Sequence, residues 1–221
     1  MESQTVRNNS TPASERIISS HYDYRKVFQY IDSKGKELYG SRFVLCAGDQ
    51  NILLQLAAYF LRDEELCRKQ QIDLDKGIML TGPIGCGKTT LMNLMRYLTG
   101  NADRYIMKST RDVTFEFIQD GYEVIHRYSR GKLYNAEYKN FCFYDLGTEN
   151  NIKYFGNECN VMAEVLLSRY DLFVLKKLVT HITTNLSATE LEETYGNRLR
   201  SRLREMVNLI GFGKEVGDKR K

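Results

Sequence analysis

The chain has 221 residues, 42% hydrophobic and 27% charged, enough for one well-buried α/β domain with a short appendage and ordinary for a soluble globular protein. No run approaches the ~18 consecutive apolar residues of a membrane span, and residues 1–20 carry no apolar secretion core, so a cytoplasmic protein is expected. A formal net charge of +4 is compatible with nucleic-acid contact without establishing it.

Residues 1–20, rich in Ser, Thr and Asn, read as a flexible tail, and residues 21–49, with Tyr22, Tyr24, Phe28, Tyr30, Tyr39 and Phe43, as an ordered but irregular partner-binding segment. The remainder, 50–221, reads as the main domain. It opens with a helix over Asn51–Lys69, whose Leu53, Leu54, Leu56, Ala57, Phe60 and Leu61 form an apolar stripe. Short apolar runs then alternate with helical patterns, the signature of a parallel sheet built from βαβ units. The strands fall at Gly77–Thr81, Tyr105–Lys108, Asn140–Asp145, Val179–Thr184 and Leu209–Gly213. The helices between them fall at Lys88–Leu98, Asp112–Arg130, Asn160–Leu172 and Ala188–Met206.

The five cysteines, Cys46, Cys67, Cys86, Cys142 and Cys159, form no CxxC pair, so neither a disulfide framework nor a zinc site is indicated. Cys142 reads as a small buried thiol. His181, inside an apolar strand, reads as a packed core histidine rather than a catalyst.

The strand Ile78-Met79-Leu80-Thr81 runs directly into Gly82-Pro83-Ile84-Gly85-Cys86-Gly87-Lys88-Thr89, followed by Thr90 and a helix. This is G-x-x-x-x-G-K-T in the strand–loop–helix setting that a phosphate-binding loop requires. Its glycines allow φ > 0, so successive backbone N–H groups turn inward onto phosphates, and the helix dipole adds positive potential there. Lys88 would reach the β- and γ-phosphates of ATP, and the Thr89 hydroxyl would bind Mg²⁺. For Cys86 the backbone N–H matters more than the sulfur.

Such a site needs an acid at the tip of a neighbouring strand. Asp145 ends the run Asn140-Phe141-Cys142-Phe143-Tyr144-Asp145 and is the candidate. Glu149 reads either as a second polar group facing the γ-phosphate or as a solvated loop carboxylate. Asn185, at the end of Leu178–Thr184, could orient the attacking water or cap the following helix. Arg198, Arg200, Arg202 and Arg204 alternate and so spray around their helix; Arg198 and Arg202 share a face as an i,i+4 pair. They read as a salt-bridged helix surface or as a source of an arginine finger.

Taken in order, GPIGCGKTT, FYDLGTE, LLSRYD, THITTNL and YGNRLRSRLRE resemble the AAA+ ATPases of the DnaC/IstB group, the bacterial helicase loaders and transposition helper ATPases. These stretches span Gly77 to about Gly213. The resemblance implies a P-loop NTPase sheet of five parallel strands in the order 5-1-4-3-2 with helices on both faces. It implies that Asn185 is the sensor-1 residue and that Arg202 is a finger acting in trans, with Arg198 its companion. Arg169 matches the R-Y-[DE] arginine of the group, for which the residues themselves suggest no role. ATP would sit between adjacent subunits of a homo-oligomer on DNA or on a helicase.

The acidic motif departs from the D-D-x-G of the group. Aligned on Gly147, Tyr144 takes the metal-acid position and Asp145 the catalytic one; aligned on the apolar run, Asp145 is the metal acid and Leu146 stands in the catalytic position. Either way one carboxylate is missing unless Glu149 substitutes, which favours ATP binding over fast hydrolysis. With few residues after Gly213, the AAA+ helical lid is expected to be absent.

These readings converge on an ATPase of DNA metabolism. It would load or recruit a replicative helicase, or assist a transposase, by ATP-gated assembly, with no membrane partner. Lys132, Lys139 and Arg111 are generic contacts for single-stranded DNA. The alternatives are a P-loop small-molecule kinase and a nucleotide-binding switch with little hydrolysis.

Overall fold

The structure, a computed structural model, describes residues 22–101, 103–130, 138–149, 152–154, 157–213 and 216–219. The tail expected over 1–20 and Lys132 lie outside the described residues. The chain divides into two units, Met1–Val44 and Leu45–Lys221.

In the first unit the segment expected to be irregular contains a 16-residue helix, α1 (Tyr24–Tyr39). The Asp23 carboxylate caps it by accepting from the Arg25 N–H at 3.1 Å, the usual remedy for an orphan amide. Helical spacing was present in Tyr24, Phe28 and Ile31, but Gly35 obscured it. The Phe43 ring lies against Gly35, where a Cβ would clash.

The second unit begins with α2 (Gln50–Phe60) and α3 (Glu64–Lys69), where a single helix was expected. Arg62 turns left-handed at φ 55°, and the buried Asp63 starts a new helix by accepting from the Leu66 N–H at 3.0 Å. The helix expected over Asp112–Arg130 is likewise two, α5 (Thr110–Asp120) and α6 (Tyr122–Arg130), separated by Gly121 at φ 62°.

The five-stranded sheet comprises β1 (Gly77–Thr81), β2 (Tyr105–Ser109), β3 (Asn140–Leu146), β6 (Thr180–Thr184) and β7 (Val207–Gly211). Their order is β2-β3-β6-β1-β7 and every pairing is parallel. Counted along the main sheet alone this reads 2-3-4-1-5, the expected order seen from its other edge. β7 starts two residues before the expected Leu209, because Met206 of α8 (Ala188–Met206) hands directly to Val207. A short antiparallel pair, β4 (Ile152–Tyr154) with β5 (Asn157–Cys159), was not foreseen.

Strand alternation divides the core between two faces. Met79, Phe141, Phe143 and Ile182 pack with Phe117 of α5, Leu166 of α7 (Val161–Lys176), and Leu199 and Leu203 of α8. On the other face His181 sits among Tyr59 and Phe60 of α2 and Tyr105 of β2, with centroid separations of 4.6–5.8 Å. His181 Nδ1 accepts the Ile78 N–H at 3.1 Å, and burial drives the imidazole pKa down to about 3, so the ring is neutral.

Arg169 acquires a physical role. Its guanidinium is fully buried and donates to Thr180 Oγ1 (2.7 Å) and to the carbonyls of Tyr128 (2.9 Å), Lys139 (3.2 Å) and Val179 (3.1 Å). It also lies 5.2 Å from the Phe141 ring centroid. One side chain therefore satisfies the carbonyls that end α6 and precede β3 and β6, a scaffold role. Desolvation lowers its pKa to about 9.

Candidate functional site

The C-terminal ends of β1, β3 and β6 gather the residues singled out in the sequence, as expected where a parallel sheet meets the N-terminus of its following helix. After β1 the chain turns through Gly82, Gly85 and Gly87 at φ 153°, 79° and 98°. The last two are left-handed, and Gly87 occupies the N-cap of α4 (Lys88–Met95), a conformation that favours glycine. Lys88 is buried, its ammonium donating to the carbonyls of Gly82 and Pro83, each at 2.8 Å. The buried Cys86 places its sulfur 3.8 Å from that ammonium, so its side chain packs under the loop while Ile84 stands exposed.

The acidic strand end is built by threonines. The β3–β6 register slips between Phe143↔Ile182 and Leu146↔Thr184, leaving a bulge at Tyr144-Asp145 with Asp145 at φ 60°. The buried Thr183 and Thr184 repair the interrupted ladder. Thr183 Oγ1 accepts the Asp145 N–H at 3.0 Å, and Thr184 Oγ1 donates to the Leu146 carbonyl at 2.7 Å. Thr110 Oγ1 donates to the Asp145 carbonyl at 2.9 Å, and Thr148 Oγ1 does so at 2.8 Å. This clamp turns the Asp145 carboxylate to the phosphate loop, where Oδ1 accepts from Thr89 Oγ1 at 3.3 Å. Tyr144 pairs with Ser109 across the β2–β3 ladder, and Leu146 is fully buried. Asp145 thus lies beside Thr89, and the residue next in sequence is the buried Leu146.

Thr110, Thr183 and Thr184 are the positioning residues that sequence reasoning missed. For Thr183 and Thr184 the T-T-N-L string carried the signal; the bulge that gives the hydroxyls their purpose did not show in it.

Glu149 folds back on its own turn. Its carboxylate accepts the Gly147 N–H at 3.0 Å and the hydroxyl of Tyr195 from α8. Asn185 stands exposed beyond β6, followed by Leu186, whose side chain lies against Gly147. The Ser187 side chain, not that of Asn185, caps α8, in a reciprocal capping box with Glu190.

The arginines lie beyond a break in α8 at Gly196 (φ 82°, ψ 159°). Arg198 is exposed. Arg202 sits 4.4 Å from the Tyr170 ring centroid, donates to the Tyr170 hydroxyl at 3.0 Å and approaches Glu205 at 3.9 Å. Among the described residues, no hydrogen bond or ion pair joins either arginine to the phosphate loop of its own chain.

After β7 the chain returns to the phosphate loop. The Phe212 N–H donates to the Thr81 carbonyl at 2.8 Å, and the Lys219 N–H to the Gly85 carbonyl at 3.1 Å. The Lys219 ammonium pairs with the buried Asp49 carboxylate just before α2. A Cβ at Gly85 would strike the Asp218 carboxylate. The described residues beyond Gly213 thus contain no helix, and they lean on the loop.

A phosphate loop with its lysine and an acid beside its threonine, on a sheet of this order, point to one class of protein, and the sequence comparison decides it. The AAA domain family model matches residues 58–209, well over half of the chain. The chain belongs to the AAA domain family. Solved structures share the fold of this AAA domain. A primosome component from Streptococcus pyogenes serotype M3 aligns with 18% identity and a TM-score of 0.53, over 79% of this chain and 85% of that one. The DnaC helicase loader aligns at 19% and 0.52, over 78% and 94%. DnaI aligns at 17% and 0.51, over 77% and 88%. No curated protein matches the chain in sequence. No helix among the described residues is long and apolar enough to cross a membrane.

Proposed function

We propose that this AAA domain binds ATP with Mg²⁺ at Gly82–Thr90 and uses the nucleotide to gate its own assembly in DNA metabolism. The observation that carries the reading is the meeting of the Thr89 hydroxyl and the Asp145 carboxylate beside a loop that already buries the Lys88 ammonium. A hydroxyl and a carboxylate are the hard oxygen donors that Mg²⁺ takes together with phosphate oxygens. Thr89 and Asp145 would hold the ion, which when bound neutralises charge on the phosphates. Lys88 would transfer its hydrogen bonds from the loop carbonyls to the β- and γ-phosphates, and Asn185 would orient the attacking water.

In hydrolysis the water oxygen bonds to the γ-phosphorus, and the bond to the bridging oxygen breaks with its electron pair leaving on ADP. The water proton passes to a carboxylate. With Leu146 in the core, Glu149 is the candidate acceptor and turnover is slow. Arg202 and Arg198 would act in trans, after Arg202 leaves Tyr170 for the γ-phosphate of an adjacent subunit. A slow hydrolysis step suits a switch: ATP holds subunits together, and its loss releases them.

The partner we infer is a replicative helicase or a transposase. Single-stranded DNA would be held through basic side chains such as Arg111 and Lys139, and the cell compartment is the cytoplasm. The fold shared with helicase loaders supports the first partner. Sedimentation velocity with and without ATP–Mg²⁺ tests the gate. The expected result is a shift from monomer to oligomer with ATP that ADP does not produce; a monomer under all conditions, with turnover dependent on a small-molecule acceptor, would instead favour a kinase.

A further inference from the structure

Tyr195 has no role in the reading above, yet its hydroxyl lies on the carboxylate that reading uses as proton acceptor. Glu149 is bound through both oxygens: Oε2 accepts the Gly147 N–H at 3.0 Å, and Oε1 accepts from Tyr195. Tyr195 is buried in the core cluster with Leu191 and Leu199, so its ring direction is fixed by packing. Burial first, and the Glu149 charge second, push the phenol pKa far up, so the hydroxyl remains a donor. The preceding turn of α8 is tied to α7 by Asn160 Nδ2, which donates to the Thr194 carbonyl at 3.0 Å. Immediately after Tyr195 the helix breaks at Gly196, and the half beyond carries Arg198 and Arg202.

We propose that Tyr195 is the positioning residue for Glu149, holding its carboxylate on the Gly147 turn and so away from the attacking water. The inference rests on the nucleotide-site reading and assigns the restraint on its proton acceptor. An isolated subunit holds Glu149 bound and hydrolyses little.

The test uses the full chain as wild type, Tyr195→Phe, Glu149→Ala and the double variant. Thermal unfolding without nucleotide comes first: the two substitutions are expected to be non-additive, because each removes the same hydrogen bond. Steady-state hydrolysis at a protein concentration too low for assembly follows. Tyr195→Phe is expected to raise kcat about fivefold, the equivalent of one net hydrogen bond, with KM for ATP unchanged. In the Glu149→Ala background the same change is expected to do nothing. Additive unfolding shifts, an unchanged or lowered kcat in Tyr195→Phe, or the same rise without Glu149 would each overturn the proposal. A fluorescent ATP analogue titrated into wild type separates the two failures: absence of binding removes the nucleotide site, whereas binding without a Tyr195 effect removes only the latch.

Discussion

Two regions of this molecule place charged or polar side chains inside the protein and use them in opposite ways. Around Arg169 the guanidinium is sealed and every named contact is to a fixed acceptor: one hydroxyl and three backbone carbonyls, with the Phe141 ring beside it. Around Lys88 the ammonium is almost as deeply buried, yet its partners are carbonyls of a glycine-rich loop, and Thr89 and Asp145 beside it remain partly open. The first arrangement has no better partner to exchange for. The second makes hydrogen bonds that a phosphate oxygen can replace with charge-assisted ones. Burial alone therefore does not mark a functional cation; the replaceability of its acceptors does.

Breaking the sealed region is expected to cost the most. Arg169→Met leaves the Tyr128, Lys139 and Val179 carbonyls without their donor, at about 1–3 kcal/mol for each acceptor not rescued by water. The unfolding midpoint is expected to drop by roughly 10 °C or more. A fall of only a degree or two would show that the guanidinium is a surface-like accessory.

Acid is the next largest perturbation, and it acts on His181. The folded protein holds the imidazole neutral down to about 3, whereas the unfolded chain takes up the proton near 6.5. Between those values the unfolded state binds more protons, so this contribution to stability is whole above pH 6.5 and is lost as pH falls toward 3. The slope reaches about 1.4 kcal/mol per pH unit. Urea unfolding of His181→Gln between pH 4 and 6 is expected to show a shallower loss than wild type; parallel curves would contradict a neutral buried ring.

The elements legible in the sequence were those with one dominant signal. The phosphate loop is a contiguous string whose backbone geometry follows from its glycines, and β1, β2, β3 and β6 are short apolar runs between helical patterns. Helix breaks were harder: Arg62 and Gly121 adopt positive φ, which residue identity alone does not demand. The bulge at Tyr144-Asp145 arises from pairing β3 with a strand about forty residues later, so its threonine clamp becomes visible only once the strands are registered. The Tyr195–Glu149 bond, the Arg169 carbonyl cluster and the return of Lys219 to Gly85 are long-range contacts of the same kind. Asn185 was legible as a strand-end amide, while the α8 cap fell to Ser187.

On the open side smaller effects are expected, and they fall on ligand binding rather than stability. Thr183→Val removes the acceptor for the Asp145 N–H and loosens the carboxylate beside Thr89. Mg²⁺-dependent nucleotide affinity is expected to fall about tenfold, with metal-free affinity unchanged, as read by fluorescence titration with and without EDTA. An equal loss in both conditions would place Thr183 outside metal positioning. Arg202→Ala is expected to shift stability by only about 0.5 kcal/mol, its side chain being partly exposed on Tyr170. It is expected to abolish the rise of specific activity with protein concentration, and a retained concentration dependence would exclude a role in trans.

The central claim is that Gly82–Thr89 is an ATP site whose lysine trades loop carbonyls for phosphates. Isothermal titration of ATP–Mg²⁺ into wild type and Lys88→Ala, with circular dichroism to verify the fold, tests it most directly. The account predicts saturable binding to wild type and none detectable in a folded Lys88→Ala. Equal affinity in the two proteins would contradict it.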